Sequence, residues 1–372
     1  MLFVKREELK VGMRIARPIY NKNGVLLFER NSKLTTQGIE SIKNFGLIGL
    51  FILEPAEPAP PMTQADLDFE RFQTMCVFSI QEELDRIIQS KRTSRMQMIT
   101  ADIIKNYGHL DKKINFVQNL RSKEDYNYKH ALNVAILCAM MSNVLNLMVE
   151  EQLETVQAAL VHDIGKLTVA KSIQEKDSFS EEDREQVRAA EIAGHSMLDE
   201  VFSSSPNIKR ICVQARKALD SLTADGNMTA MKMVNGAKVL TVAETFDTMT
   251  AMQFEKEPVS EVATLKYLLD HPEVYDRKVV DSLVHSINIL SAGVSVELNT
   301  GEKALVINAN ERNILRPMIL MFNDNSMIDL SNEAVYGDLM IKDIMRTMDN
   351  RHVMNEDLLE KQGIKLDGGE FV

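Results

Sequence analysis

The chain has 372 residues, more than one simple core holds at about 100 to 200 residues per domain, so two or three units are expected. Apolar residues make up 45% and charged residues 26%, which excludes a disordered or fibrous chain. A net charge of -11 with no long Lys/Arg run excludes duplex nucleic acid as a partner.

Residues 1–54 read as a small mixed α/β domain. Ile19-Tyr20 and Val25 to Phe28 flank the Asn21–Gly24 turn and predict a hairpin. Thr35 or Thr36 is placed to cap a short helix whose apolar face is Ile39 and Ile42; Gly46 ends it before a strand over Ile48 to Leu53. The first residues lack the apolar core of a secretory signal, so a cytoplasmic location is expected. Cys76, Cys138 and Cys212 are far apart with no CxxC spacing, which fits buried thiols in a reducing compartment.

Four prolines between Glu54 and Thr63 mark a linker at about 55–65. Residues 66–124 form a helical connector, with Phe69, Phe72, Cys76 and Ile80 at three- and four-residue intervals over a helical stretch to Ile104; its expected role is connecting or dimerising. Ala131 to Val149 is uncharged, but Asn133, Ser142, Asn143 and Asn146 interrupt it, so it reads as a helix inside a bundle rather than a membrane span.

From Tyr126 to Leu290 the pattern is helical throughout, broken at Gly165, Gly194, Pro206, Asp225-Gly226 and Pro258. Ser180 with Asp183 three residues on predicts a capping box. After Gly293 the period becomes strand-like: a hairpin through the Asn299-Thr300-Gly301 turn and a strand at Met318 to Phe322 occupy about 294–322, and a tail follows over 346–372.

The chemistry concentrates in the helical part. His162-Asp163 ends a helix with Leu153, Val156 and Leu160 on its apolar face, and Gly165-Lys166 follows. Imidazole beside carboxylate suits a metal ion, and Asp163 has lone pairs enough to bridge two. His130, His195 and Glu244 lie in similarly apolar surroundings, where an ionisable side chain is costly unless it is paired or bound to metal. His109, His271, His285 and His352 have no such company and read as ordinary surface or core histidines. The 22 methionines, dense over Met228 to Met233, read as packing residues.

Tyr128-Lys129-His130-Ala131-Leu132-Asn133-Val134-Ala135 and Ala159-Leu160-Val161-His162-Asp163-Ile164-Gly165-Lys166-Leu167 resemble the opening motifs of the HD-GYP family. Ala190 to Leu198 with His195, Val239 to Thr250 with Glu244 where the family has Asp, Val294 to Asn308, and Arg316-Pro317 resemble later segments. Leu9 to Met13 resembles small domains that precede such units. The resemblance implies a mainly α, HD-type all-helical bundle over 125–345 with a C-terminal β-hairpin, two or three iron or manganese ions, and hydrolysis of cyclic di-GMP.

One family segment is missing. The paired histidines and the following Gly-Tyr-Pro loop are replaced by Gln214 to Asp225. His130, His162, Asp163 and Glu244 then remain for one divalent ion, iron or manganese with zinc as a third choice, while a second position keeps only His195 and Asp163. Asp163 and Lys166 are the expected catalytic pair, with Lys166 and Arg216 meeting phosphate; Arg216 either occupies the vacated metal position or points to solvent, the second being preferred. Asp247, one turn beyond Glu244, is expected in a solvated or capping role.

Three functions stay open at this point. The leading one is a cyclic di-GMP signalling protein with weak or lost phosphodiesterase activity; the others are an active phosphohydrolase of altered substrate and a non-enzymatic interaction module. Expected partners are a cyclic dinucleotide, a signalling protein and a second copy of the chain as a homodimer.

Overall fold

The computed structural model describes residues 2–345 apart from 21–24, 46, 54–62, 175, 177, 223–231 and 254–256. The Asn21–Gly24 turn, Gly46, most of the proline-rich linker, the Asp225-Gly226 turn, most of the methionine cluster, His352 and the 346–372 tail lie outside the described residues.

In the N-terminal unit, strands β1 (Leu2–Lys5), β2 (Arg14–Ile15) and β5 (Gly49–Leu53) form an antiparallel sheet with β5 in the middle. The expected hairpin is β3 (Ile19–Tyr20) against β4 (Leu26–Phe28). Helix α1 (Thr36–Asn44) starts where Thr35 Oγ1 accepts the Gly38 amide at 3.0 Å, satisfying one of the orphan donors of the first turn. Ile15, Leu34, Ile42 and Leu50 form its small core.

The long helix expected after the linker is two helices, α2 (Gln64–Ser90) and α3 (Met96–Tyr107). Lys91 takes a left-handed backbone, φ 55°. Buried Glu83 reaches across the break and accepts the amides of Ser94, Arg95 and Met96 at 2.7, 2.9 and 3.1 Å, capping α3 from a distance. Neither helix stands apart: Phe69, Val77, Ile80 and Leu84 of α2 and Ile99 and Ile103 of α3 enter the main core.

That core is built around α4 (Tyr126–Val144), which is buried on every side from His130 to Ser142. The bundle continues with α5 (Val149–Val161), a short turn α6 (Lys171–Gln174), α7 (Glu181–Val201), α8 (Pro206–Ser221), α9 (Asn235–Thr250), α10 (Glu261–Asp270) and α11 (Arg277–Ser286), of which α5, α9 and α11 pack directly on α4. Ser180 and Asp183 form the predicted capping box of α7. No described helix is long and apolar enough to cross a membrane.

The C-terminal hairpin is the centre of a larger element. Strands β6 (Ser295–Leu298), β7 (Lys303–Asn308), β8 (Met318–Met321), β9 (Met327–Asp329) and β10 (Ile341–Ile344) form one antiparallel sheet in the order β10-β6-β7-β8-β9, with helix α12 (Glu333–Tyr336) in the β9–β10 connection. Val296, Leu298, Val306 and Ile319 join the helical core. Arg316 ties the connection down by donating to the carbonyls of Leu330, Tyr336 and Gly337.

One contact places the helix bearing His195 against the turn bearing Asp163. A Cβ on Gly165 would stand 2.2 Å from the Ala190 carbonyl, and one on Gly194 would stand 2.6 Å from Gly165 N and Cα. Only hydrogen on both residues permits this approach. Gly194→Ala must therefore separate α7 from the turn, and we expect a loss of about 2–3 kcal/mol, as for other overpacked sites. The urea midpoint reads it; a loss below about 0.5 kcal/mol, the level of an ordinary surface change, would contradict the packing.

Candidate metal centre

Three helices, one of them with the residues that follow its end, deliver the close cluster. Helix α4 presents His130, the end of α5 presents His162, the next residue presents Asp163, and α9 presents Glu244. One ligand atom from each lies within 4.8 Å of the other three. His130 Nε2 is 3.3 Å from His162 Nε2 and 3.5 Å from Asp163 Oδ2, and His162 Nε2 is 3.6 Å from that same oxygen. Atoms about 2.1 Å from a common tetrahedral centre lie about 3.4 Å apart, so these three are spaced for one ion. Glu244 Oε2 sits at hydrogen-bond distance from both imidazoles, 2.6 Å from His130 and 2.8 Å from His162, and Glu244 is the fourth residue of the set. Two imidazoles and two carboxylates suit a borderline divalent metal.

The ring nitrogens facing away from the cluster explain why Nε2 is free to serve it. His162 Nδ1 donates to the Ala159 carbonyl at 2.7 Å, and His130 Nδ1 donates to Asp247 Oδ2 at 2.6 Å. Such outer partners hold the ring and its tautomer. Asp247 is 0% exposed, which corrects the solvated or capping role expected for it. Its oxygens also accept Arg121 NH2 at 2.6 and 2.8 Å and Asn133 Nδ2 at 2.9 Å. Arg121, equally buried, rests with its guanidinium carbon 4.9 Å from the centre of the Tyr126 ring.

Burial raises the cost of ionising Asp247, but Arg121 and His130 outweigh it and hold its carboxyl down at about 2. Burial likewise opposes the His130 imidazolium, yet Glu244 and Asp247 carry its pKa up to about 10. Glu244 is held well below the usual carboxylate range by the two histidines, against its own burial.

The second half of the pocket is lined by Glu191, His195 and Arg216. His195 is outside the close four-residue cluster, and burial depresses its imidazole. Arg216 does not simply point to solvent: NH1 meets Glu191 Oε1 at 2.9 Å and Nε meets Asp220 at 2.9 Å, while neighbouring Lys217 is the exposed one. Lys166 Nζ lies 2.5 Å from Asp163 Oδ2 and 3.5 Å from Glu191 Oε1. Burial works against its ammonium, but Asp163, Glu244 and Glu191 raise its pKa above the ordinary lysine value.

Sequence reasoning missed Arg121, Asn133 and Glu191 as parts of the site. Asn133 is one turn beyond His130 on an uncharged helix, which is the signal that would have placed it on the same face. Glu191 is one of many charges on α7, and Arg121 lies in a segment with no periodicity.

Residues 110–279 match the family described as HD domain, beginning upstream of the boundary expected at 125. The chain is 22% identical over 218 residues to a protein of Pseudomonas aeruginosa named as a cyclic di-GMP phosphodiesterase, covering 58% of this chain and 53% of that one. It is 23% identical over 215 residues to cyclic di-GMP phosphodiesterase PdeB of Borreliella burgdorferi, covering 56% and 55%. The chain thus matches about half the length of these relatives.

Because folding raises His130 from 6.5 to about 10, its proton stabilises the metal-free fold fully below pH 6.5. That contribution is lost as pH rises through about 10. Urea midpoints of metal-stripped protein should therefore fall from neutral pH upward. The fall should be smaller in Glu244→Gln, which removes the carboxylate that does most to raise His130. A flat profile, or the same slope in both proteins, would contradict the pairing.

Proposed function

We propose that this chain, whose residues 110–279 match an HD domain, is of the HD-GYP type and acts in bacterial cyclic di-GMP signalling through a site reduced to one divalent ion, with weak or lost phosphodiesterase activity. The ion is iron or manganese, with zinc as the third candidate, held by His130, His162, Asp163 and Glu244.

One observation carries this reading: the open side of the four-ligand cluster already holds protein cations. Lys166 Nζ lies 2.5 Å from Asp163 Oδ2, the oxygen that also faces the two imidazoles, and 3.5 Å from Glu191 Oε1, which Arg216 meets at 2.9 Å. Two fixed cations then stand where a second ion would otherwise supply charge. A bound ion would polarise a phosphoryl oxygen and lower the pKa of a water; a pair of ions would in addition clamp both the attacking and the leaving oxygen. Without the second, positioning survives better than turnover.

The chain's own residues divide the remaining work. His130 and His162 offer Nε2 because their Nδ1 protons are committed elsewhere. Arg216 is half-buried at the pocket wall and is free to exchange Glu191 for a phosphodiester, whose two non-bridging oxygens match its paired donors. Lys166 adds a point charge beside Asp163. The unpaired cysteines, buried or half-buried, fit a reducing compartment, and we place the protein in the cytoplasm.

The test uses protein purified without oxygen, loaded with Mn²⁺ and offered cyclic di-GMP. The expected result is specific binding that Arg216→Ala weakens at least about tenfold, the loss of one charge-assisted hydrogen-bonded contact. Hydrolysis should run far below the rate of about 10 s⁻¹ common among enzymes. Turnover at that rate, or no binding to metal-loaded protein, would overturn the proposal.

A further inference from the structure

A cavity of about 640 Å³ lies between the N-terminal unit and the helical bundle, away from the metal centre. Its size falls in the range of roughly 300–1,000 Å³ usual for small-molecule sites. Arg17, Tyr20 and Phe45 line it from the N-terminal side, Glu70 and Gln73 from α2, and Gln118 from the segment before α4.

Two opposite charges in this wall are not joined to each other. Glu70 is 9% exposed, and its Oε2 has no hydrogen-bond partner among the described residues. Arg17 is held in place by a 2.9 Å bond to the Gln118 carbonyl and by the Phe51 ring, 4.5 Å from its guanidinium carbon. A buried carboxylate oxygen without a donor is an uncommon and costly feature unless a ligand or water supplies one. Burial pushes the Glu70 carboxyl upward, against the pull of Arg17 and Arg30.

We propose that this cavity is a binding site for a guanine-type base. The base presents N–H donors to Glu70 and its neighbouring ring carbonyl to Arg17, with its flat faces against the aromatic wall. A carboxylate accepts from adjacent ring and exocyclic N–H groups, and a guanidinium donates to the ring carbonyl. Tyr20 and Phe45 supply the apolar surfaces on which an unpaired base stacks. Adenine places a lone pair where guanine places its ring N–H, so the same carboxylate repels it.

The site does not depend on the metal-centre reading. It does adjoin the network behind that centre. Gln73 donates to Asn133 Oδ1 at 2.9 Å, and Asn133 donates to Asp247 at 2.9 Å, so the cavity wall stands two hydrogen bonds from Asp247.

Calorimetric titration of the full chain with guanosine tests this, because guanosine carries no phosphate for the metal centre to recognise. The expected result is one-to-one binding, weakened at least about tenfold by Glu70→Gln and by Phe45→Ala, with adenosine at least about tenfold weaker than guanosine. Phe45 is 45% exposed, so its truncation leaves the fold intact and decides the matter even if Glu70→Gln does not fold. No guanosine binding, equal binding of adenosine, or an affinity that Phe45→Ala leaves unchanged would overturn the assignment.

Discussion

The buried pair of Arg121 and Asp247 is the interaction on which the rest of the centre depends. Both side chains are 0% exposed and 2.6 Å apart, a placement whose large desolvation cost is offset by their mutual attraction and by the further donors His130 and Asn133 on Asp247. Asp247 spends its remaining capacity on His130 and Asn133, and so fixes which nitrogen of His130 faces the cluster. Arg121 also accepts the Ile48 amide on its carbonyl at 3.0 Å, beside β5 of the N-terminal sheet. One residue thereby joins the small domain, the metal-ligand helix α4 and the second ligand helix α9. Removing either partner would strand a charge in the core, which is far more damaging than replacing both with apolar groups of the same shape.

Charge balance governs what the pocket holds. In the four-ligand cluster two histidines face two carboxylates, and with protons on the imidazoles the set is neutral without metal. A divalent ion displaces those protons and takes over their role. The adjoining half is balanced already, since Lys166 and Arg216 answer Glu191 and Asp220. A second ion there would have to expel protein cations that cannot lose their charge at neutral pH. Arg216, on α8, supplies one of those cations by meeting Glu191 at 2.9 Å.

Much of this was legible in the residue pattern. The run of uncharged residues after His130 named the central helix, because a helix apolar on all sides has to be buried. His162-Asp163 at a helix end, with His130 and Glu244 in apolar stretches, marks the four cluster residues in the sequence. The capping box at Ser180 and the hairpin at Asn299–Gly301 were equally local and equally visible. Three features were not local. The break at Lys91 is stabilised by Glu83, eleven or more residues from the amides it caps. Asp247 looked like a surface acid because its partner, Arg121, is 126 residues away in an irregular segment. The terminal hairpin extends to five strands because β9, only three residues long, folds back on β8 through the turn at Asn325, and β10 reaches β6 from more than forty residues on.

The proposed function requires a single ion held by four residues, with protein cations in place of a second. Elemental analysis of protein purified without oxygen, in parallel with His162→Ala, tests it most directly. The account predicts about one iron, manganese or zinc ion per chain in the parent, as a single four-coordinate set holds, and none retained in the variant. Two or more tightly bound ions per chain, or metal retained after His162→Ala, would contradict it.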